Sequence, residues 1–305
     1  MRARLIAIIL SLSVCSAWAE LSAHLIDGTG LPAGTIVLTI DDGPWELWQS
    51  RLGNGVSDSL VMADYLASVQ RRGRNRTGVP ATWFIVGCHF RTQPPSTWWQ
   101  PMSTLCLGSR DLDENLIEEL QKRGFVVGNH THSHIPASEL NDTSIPEGTP
   151  QPQRDTIFLH ELCQTQTMLV RNGQRGWHLF RPPGLDWPDW AASVANSDPC
   201  LSDLEGPVGA DVGGAFQMDD GTTIGGDWDC PRKGLSAEQC GDLYLRDIRK
   251  VTRLHGAIVL LHDVVNPASY ELALIRHIIE NLDEGIRIVD IRTHPAFARK
   301  EPLYR

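Results

Sequence analysis

Val37-Leu38-Thr39-Ile40-Asp41-Asp42-Gly43-Pro44 is the stretch from which the rest of the chain can be read. An apolar run ends in two adjacent carboxylates and is broken at once by Gly-Pro, the pattern of a buried β-strand stopped by a turn. Side chains alternate along an extended strand. Asp41 and Asp42 are therefore expected to point to different sides and to do different jobs, one holding a metal while the other faces a reactant. An isolated Asp-Asp-Gly is more often only a turn, because Asp is at home before Gly. Residues far downstream change that reading.

Working outward from this strand, further strands are expected at 81–87, 125–127, 257–261 and 286–290. Between them lie helical patterns at 56–70, from Asp113 to Gly124, at 155–171, 236–254 and 268–282. Ser236-Ala237-Glu238-Gln239 has the form of a capping box at the start of one of these helices. Strands alternating with helices indicate an α/β fold with a parallel sheet. The basic stretch 71–76 reads as a solvated turn, 91–110 as a long loop, 136–153 as a turn-rich excursion, and 196–220 carries no clear pattern. Residues 222–229 read as a short strand end. No repeat or linker divides the chain, so a single domain with long loop insertions is expected.

The first nineteen residues differ from the rest. Arg2 and Arg4 precede the apolar run from Leu5 to Leu10, and Ala17-Trp18-Ala19 is a small-x-small cleavage pattern. This reads as a secretory signal peptide cleaved near Ala19, for a secreted or periplasmic product. Loss of the two arginines takes the net charge from −10 to −12. That acidity disfavours nucleic acid or an anionic membrane as partner and suits a neutral substrate. No second long apolar stretch exists, so no stable membrane association is expected, and a monomer is. Six cysteines remain, an even number in an exported chain. Local closure favours Cys88–Cys106 and Cys230–Cys240, leaving Cys163–Cys200.

Four of the strands end in residues able to do chemistry: Asp41-Asp42, His130 with His134, Arg181, and His262. In parallel α/β barrels the loops at the C-terminal ends of the strands build the active site, so residues distant in sequence converge there. His130 and His134 are four apart and can bind one ion together, and an Asp42 oxygen completes a set of two His and one Asp. Three protein ligands leave a position open for water or substrate, as a catalytic zinc needs.

These motifs resemble those of the NodB-homology polysaccharide deacetylases, carbohydrate esterase family four. The matching stretches are 39–44, 79–87, 129–134, Arg181-Pro182-Pro183 and Leu260-Leu261-His262. The resemblance implies a distorted (β/α) barrel and hydrolysis of an acetyl group on a sugar. It makes Asp42, His130 and His134 ligands of a divalent metal, with zinc expected and cobalt or another first-row ion open. By the same resemblance Asp41 is the general base, Arg181 orients it, and His262 is the general acid. Leu260, from the same motif, belongs to the substrate pocket. His132 is expected behind the site or at the surface.

Two departures stand out. Gly184 stands where the family has an aromatic residue, whose backbone N–H serves the oxyanion. Pro182 and Pro183 have no N–H, so Gly184 is the first donor of that stretch, and Trp187 is expected to replace the missing ring as a sugar platform. In Gly226-Asp227-Trp228-Asp229, Asp229 is favoured over Asp227 as the carboxylate beside His262. The expected activity is metal-dependent deacetylation of a neutral N-acetylglucosamine-containing glycan such as chitin or peptidoglycan. An O-acetyl polysaccharide esterase is the alternative. A sugar-binding protein with a structural metal fits less well, since both Asp41 and His262 are present.

Overall fold

Seven consecutive buried residues, Thr35–Asp41, form β1. A strand covered on both faces belongs inside a parallel sheet, and the computed structural model, which describes residues 21–43, 58–70, 78–89, 115–140, 154–263 and 268–297, gives β1 three parallel neighbours. β2 (Ala81–Ile85) pairs with it from Leu38↔Ala81 to Asp41↔Phe84. β3 (Val126–Asn129) pairs with the outer side of β2. Two short pairs follow, β4 (His178–Leu179) parallel to β5 (Leu204–Glu205) and β6 (Phe216–Gln217) antiparallel to β7 (Thr223–Ile224). β8 (Ala257–His262) then returns beside β1, from Ile36↔Ala257 to Asp41↔His262, and β9 (Arg287–Ile288) meets the start of β1. The sheet order is β3-β2-β1-β8. No closed barrel forms among the described residues. β3 reaches the chain just after β4 through the single bridge Asn129↔Phe180, and the segment after β5 reaches β8 through Val212↔Val259.

Among the described residues six helices flank the sheet: α1 (Asp58–Ser68), α2 (Leu116–Lys122), α3 (Arg154–Arg171), α4 (Asp189–Ala195), α5 (Ala237–Thr252) and α6 (Ala268–Asn281). The strands divide their side chains by parity. Ile36, Leu38 and Ile40 of β1, Trp83 and Ile85 of β2, Val127 of β3, and Val259 and Leu261 of β8 pack outward. There they meet Met62 and Leu66 of α1, Leu120 of α2, Ile248 of α5 and Ile278 of α6. Each such aliphatic side chain contributes roughly 1.5–3 kcal/mol on burial, and this layer holds the sheet to its helices. The inward positions begin apolar, with Val37, Phe84, Val126, Leu179 and Ile258 in one cluster. One pleat further on they turn polar, and that switch defines the site. Gly128 lies on this inner face because a Cβ there would come within 2.7 Å of the Phe84 ring and 2.8 Å of the Leu179 carbonyl oxygen.

The capping box is present: the Ser236 side chain accepts from Gln239 N and Gln239 Oε1 accepts from Ser236 N. Cys163–Cys200 and Cys230–Cys240 are disulfides, and Cys88 is also disulfide-bonded. Residues 196–220, unpatterned in sequence, carry β5 and β6, and α4 was not anticipated. The leader, Pro44, the loops 71–76 and 91–110 with Cys106, and Asp113 lie outside the described residues. Among the described residues no helix is long and apolar enough to cross a membrane.

Candidate active site

The inward positions of β1 are Val37, Thr39 and Asp41, those of β8 are Ile258, Leu260 and His262, and Asp41 and His262 face each other across the pairing. Arg181, just past β4, reaches the same interior. It is completely buried. Its Nη1 donates to Asp41 Oδ1 at 2.8 Å and to Thr39 Oγ1 at 2.6 Å, its Nε to the Val208 carbonyl at 3.1 Å, and its Nη2 to the Gly209 carbonyl at 2.6 Å. Its guanidinium also stacks 4.6 Å from the Phe84 ring centre. Burial pushes the Arg181 pKa down and Asp41 opposes that shift. A buried ion pair of this kind costs roughly 3–5 kcal/mol when one partner is removed, so Asp41 is locked in orientation, with Oδ2 left to face the site.

Strand alternation stops at Asp41. Asp42 has φ 71°, a left-handed conformation that a non-glycine residue adopts rarely and at a cost. The turn swings the second carboxylate back toward the first. Asp41 Oδ2 lies 3.5 Å from His130 Nε2, and Asp42 Oδ1 lies 3.3 Å from the same nitrogen and 3.0 Å from His134 Nε2. Both aspartates therefore serve one cavity from two directions, which corrects the expectation of opposite sides. His134 is also left-handed, at φ 55°.

Asp42, His130 and His134 offer three ligand atoms within 4.8 Å of one another. Their chemistry fits a divalent ion. Asp42 Oδ1 is buried without a well-formed hydrogen bond. His130 Nδ1 lies 2.8 Å from the Arg181 carbonyl oxygen. A carbonyl only accepts, so Nδ1 carries the hydrogen and Nε2 presents its lone pair to the centre, the tautomer that metal-binding histidines need. Burial works against the Asp42 charge, but His134 and His130 hold its pKa well below the usual carboxylate range.

The partner of His262 is Asp227, not Asp229. Asp227 is fully buried, its Oδ1 lies 2.6 Å from His262 Nδ1, and its Oδ2 accepts from His262 N at 2.7 Å. Asp229 instead accepts from Gly225 N and closes its own turn. Burial alone would lower the His262 pKa, but Asp227, then Asp42 and Asp41, push it up to about 10. Trp187 makes core contacts. Its ring packs 6.0 Å from Phe158 and 5.5 Å from Phe180, and its indole N–H donates to the Ser22 carbonyl. It is half-buried and packs against the second core cluster. Gly184 sits in the turn Pro183–Leu185 with φ 61° and is exposed. This conformation favours glycine over the expected aromatic residue. Leu260 is buried beneath the site, with its carbonyl taken by the Tyr244 hydroxyl at 2.8 Å.

The sequence ranks Asp227 second to Asp229 and gives no role to two further residues around these groups: Thr39, which shares Arg181, and Glu161 of α3. Glu161 is 2% exposed and accepts from the His132 and Ser133 amides. A carboxylate among Phe158, Leu162, Thr165 and Leu169, at helical spacing on the buried face, was its available signal. His132 is buried, behind the histidine pair.

Residues 29–199 match the sequence profile of the polysaccharide deacetylase family, so His262 lies beyond the matched segment. No curated protein matches the chain. Among 27 solved chains that match is the Bc1960 peptidoglycan N-acetylglucosamine deacetylase, 18% identical, covering 89% of this chain and 92% of that one with a TM-score of 0.53. The chitin deacetylase of Colletotrichum lindemuthianum is 15% identical, covering 86% and 87% with a TM-score of 0.50. A family 4 acetyl xylan esterase from Clostridium thermocellum in complex with a cobalt ion is 20% identical, covering 84% and 87% with a TM-score of 0.46.

Proposed function

Since this chain belongs to the polysaccharide deacetylase family, we propose that it is a metal-dependent hydrolase removing acetyl groups from an N-acetylglucosamine-containing polysaccharide. The observation that carries this reading is the Asp42–His130–His134 triple, with its His130 tautomer set by Arg181, beside a separately held Asp41. Asp42, His130 and His134 hold the ion; two imidazoles and one carboxylate suit zinc, and cobalt fits the same donors. When bound, the ion supplies Lewis acidity, polarising the acetyl carbonyl and acidifying water.

The chain's own residues then move the protons. Asp41, pinned through Oδ1 by Arg181, takes the proton of the attacking water at Oδ2. His262, held through Nδ1 by Asp227, delivers a proton from Nε2 to the leaving group. The Gly184 N–H is the proposed donor to the oxyanion. A protonated His262 is needed more by an amide than by an ester substrate. An amine cannot leave as an anion and needs its nitrogen protonated, whereas an alkoxide leaves far more readily. Chitin and peptidoglycan, for which two structurally similar proteins are named, are the proposed glycans. The disulfides and the leader-like N-terminus support a secreted or periplasmic enzyme that acts from residue 20 onward as one catalytic unit.

Acetate release from chitin oligomers, peptidoglycan and acetylated xylan, before and after chelation, tests the reading. Release from the N-acetylated substrates should vanish on chelation and return with Zn²⁺ or Co²⁺. Activity on acetylated xylan alone, or full activity in the stripped protein, would contradict it.

A further inference from the structure

Between His130 and His134 the chain leaves regular structure, with Thr131 at φ 63° and His134 at φ 55°. Two left-handed non-glycine residues within four positions do not hold themselves in place. The amides of Thr131, His132 and Ser133 are instead taken by side chains. Thr131 N donates to Asn129 Oδ1 at 2.9 Å, and the Asn129 amide group in turn donates to the Leu162 carbonyl on α3 at 3.0 Å. His132 N and Ser133 N both donate to Glu161 Oε2, at 3.0 and 2.7 Å, and the Ser133 hydroxyl donates to Glu161 Oε1 at 2.6 Å. Both oxygens of a buried carboxylate are thus committed to one short loop. An apolar residue would pack beside Phe158 and Leu162 without the cost of desolvating a charge. Charge-assisted bonds to backbone N–H groups are among the strongest available here. The next residue after Ser133 is His134, whose Nε2 stands 3.0 Å from Asp42 Oδ1.

We propose that Glu161 is the positioning residue of the metal site: by clamping the His132 and Ser133 amides to α3 it fixes His134 against Asp42 and so sets the affinity for the ion. This rests on the reading that Asp42, His130 and His134 hold a divalent metal. Without the clamp the left-handed residues relax and His134 Nε2 leaves the position that its two partner ligands require. Glu161 touches neither ion nor substrate, so its effect is on binding before it is on chemistry.

The test is the Zn²⁺ dissociation constant of the full protein, measured by competition with a chromophoric chelator, together with the visible absorption spectrum of the Co²⁺-loaded protein. Glu161→Gln keeps the size but replaces one acceptor oxygen by a donor. It should weaken zinc binding by about ten- to a hundredfold, the usual effect of losing a group that orients a ligand, and alter the cobalt spectrum. Asp211→Asn is the control for a merely structural effect. Asp211 also is a carboxylate accepting two amides, from Gly28 and Ile258, but it holds none of the loop, so it should lower the melting temperature and leave the zinc constant unchanged. If Glu161→Gln does not fold, Ser133→Ala, which removes one of the three bonds, decides alone: weakening of threefold or more supports the proposal, and no change overturns it. A wild type that binds one ion beside a Glu161→Gln protein with equal affinity and spectrum overturns this inference only. A wild type that binds no ion overturns the metal reading with it.

Discussion

His262 keeps its proton against burial because Asp227 lies 2.6 Å from its Nδ1, with Asp42 and Asp41 adding to the effect, and the outcome is a pKa pushed up to about 10. The sign follows directly. Without an ion the imidazole is protonated and able to act as an acid below about pH 10; a dication on Asp42 opposes part of that shift, so the alkaline limb of the pH–rate profile should fall below that value. The pair's contribution to stability is complete below the unfolded value of 6.5 and is lost as pH rises through about 10. Asp227→Asn removes the largest raising influence. The limb should then move down by one pH unit or more, while Asp229→Asn should leave it in place; acetate release measured across pH separates the two. Spacing could not decide between these aspartates, since they flank one Trp and differ only in the turn each joins. Asp42 was legible as a candidate ligand from its neighbours, but its direction depends on a left-handed φ that no residue pattern announces.

At the scale of elements, α3 stands behind the histidine loop and is fastened at Cys163 to the turn Pro199–Leu201 through Cys200. The bridge spans 37 residues, for which loop-closure entropy gives roughly 3–4 kcal/mol. Cys163→Ser with Cys200→Ser should lower the unfolding free energy in urea by about that amount, and an unchanged midpoint would contradict the estimate. In the intact, unreduced protein, denaturation should expose no reactive thiol from Cys163, Cys200, Cys230 or Cys240. The length of α3 was readable from its apolar period, and the pairing of its cysteine followed once nearer partners were matched. What escaped was Glu161, because periodicity reports which face is buried and not which polar group that face must satisfy. Trp187 shows the complementary limit of pattern: an aromatic near a site suggests a sugar platform, and spacing does not announce that Phe158 and Phe180 pack against its ring.

At the scale of the molecule, parallel pairing brings Asp41 and His262 side by side, and the bridge Asn129↔Phe180 carries His130 and Arg181 to the same end of the sheet. The alternation of strands and helices made that convergence legible, whereas the single bridges that replace full ladders beyond β3 were not, because residues 196–220 carry no strand period. In the proposed mechanism two adjacent aspartates divide the work, Asp42 holding the ion and Asp41 moving the proton. That division is tested most directly by measuring metal content and acetate release on the same preparations of Asp41→Asn and Asp42→Asn. Asp41→Asn should keep the ion near the wild-type level while activity falls by roughly two to four orders of magnitude, and Asp42→Asn should lose both. An Asp41→Asn protein without metal beside an Asp42→Asn protein that retains it would contradict the account.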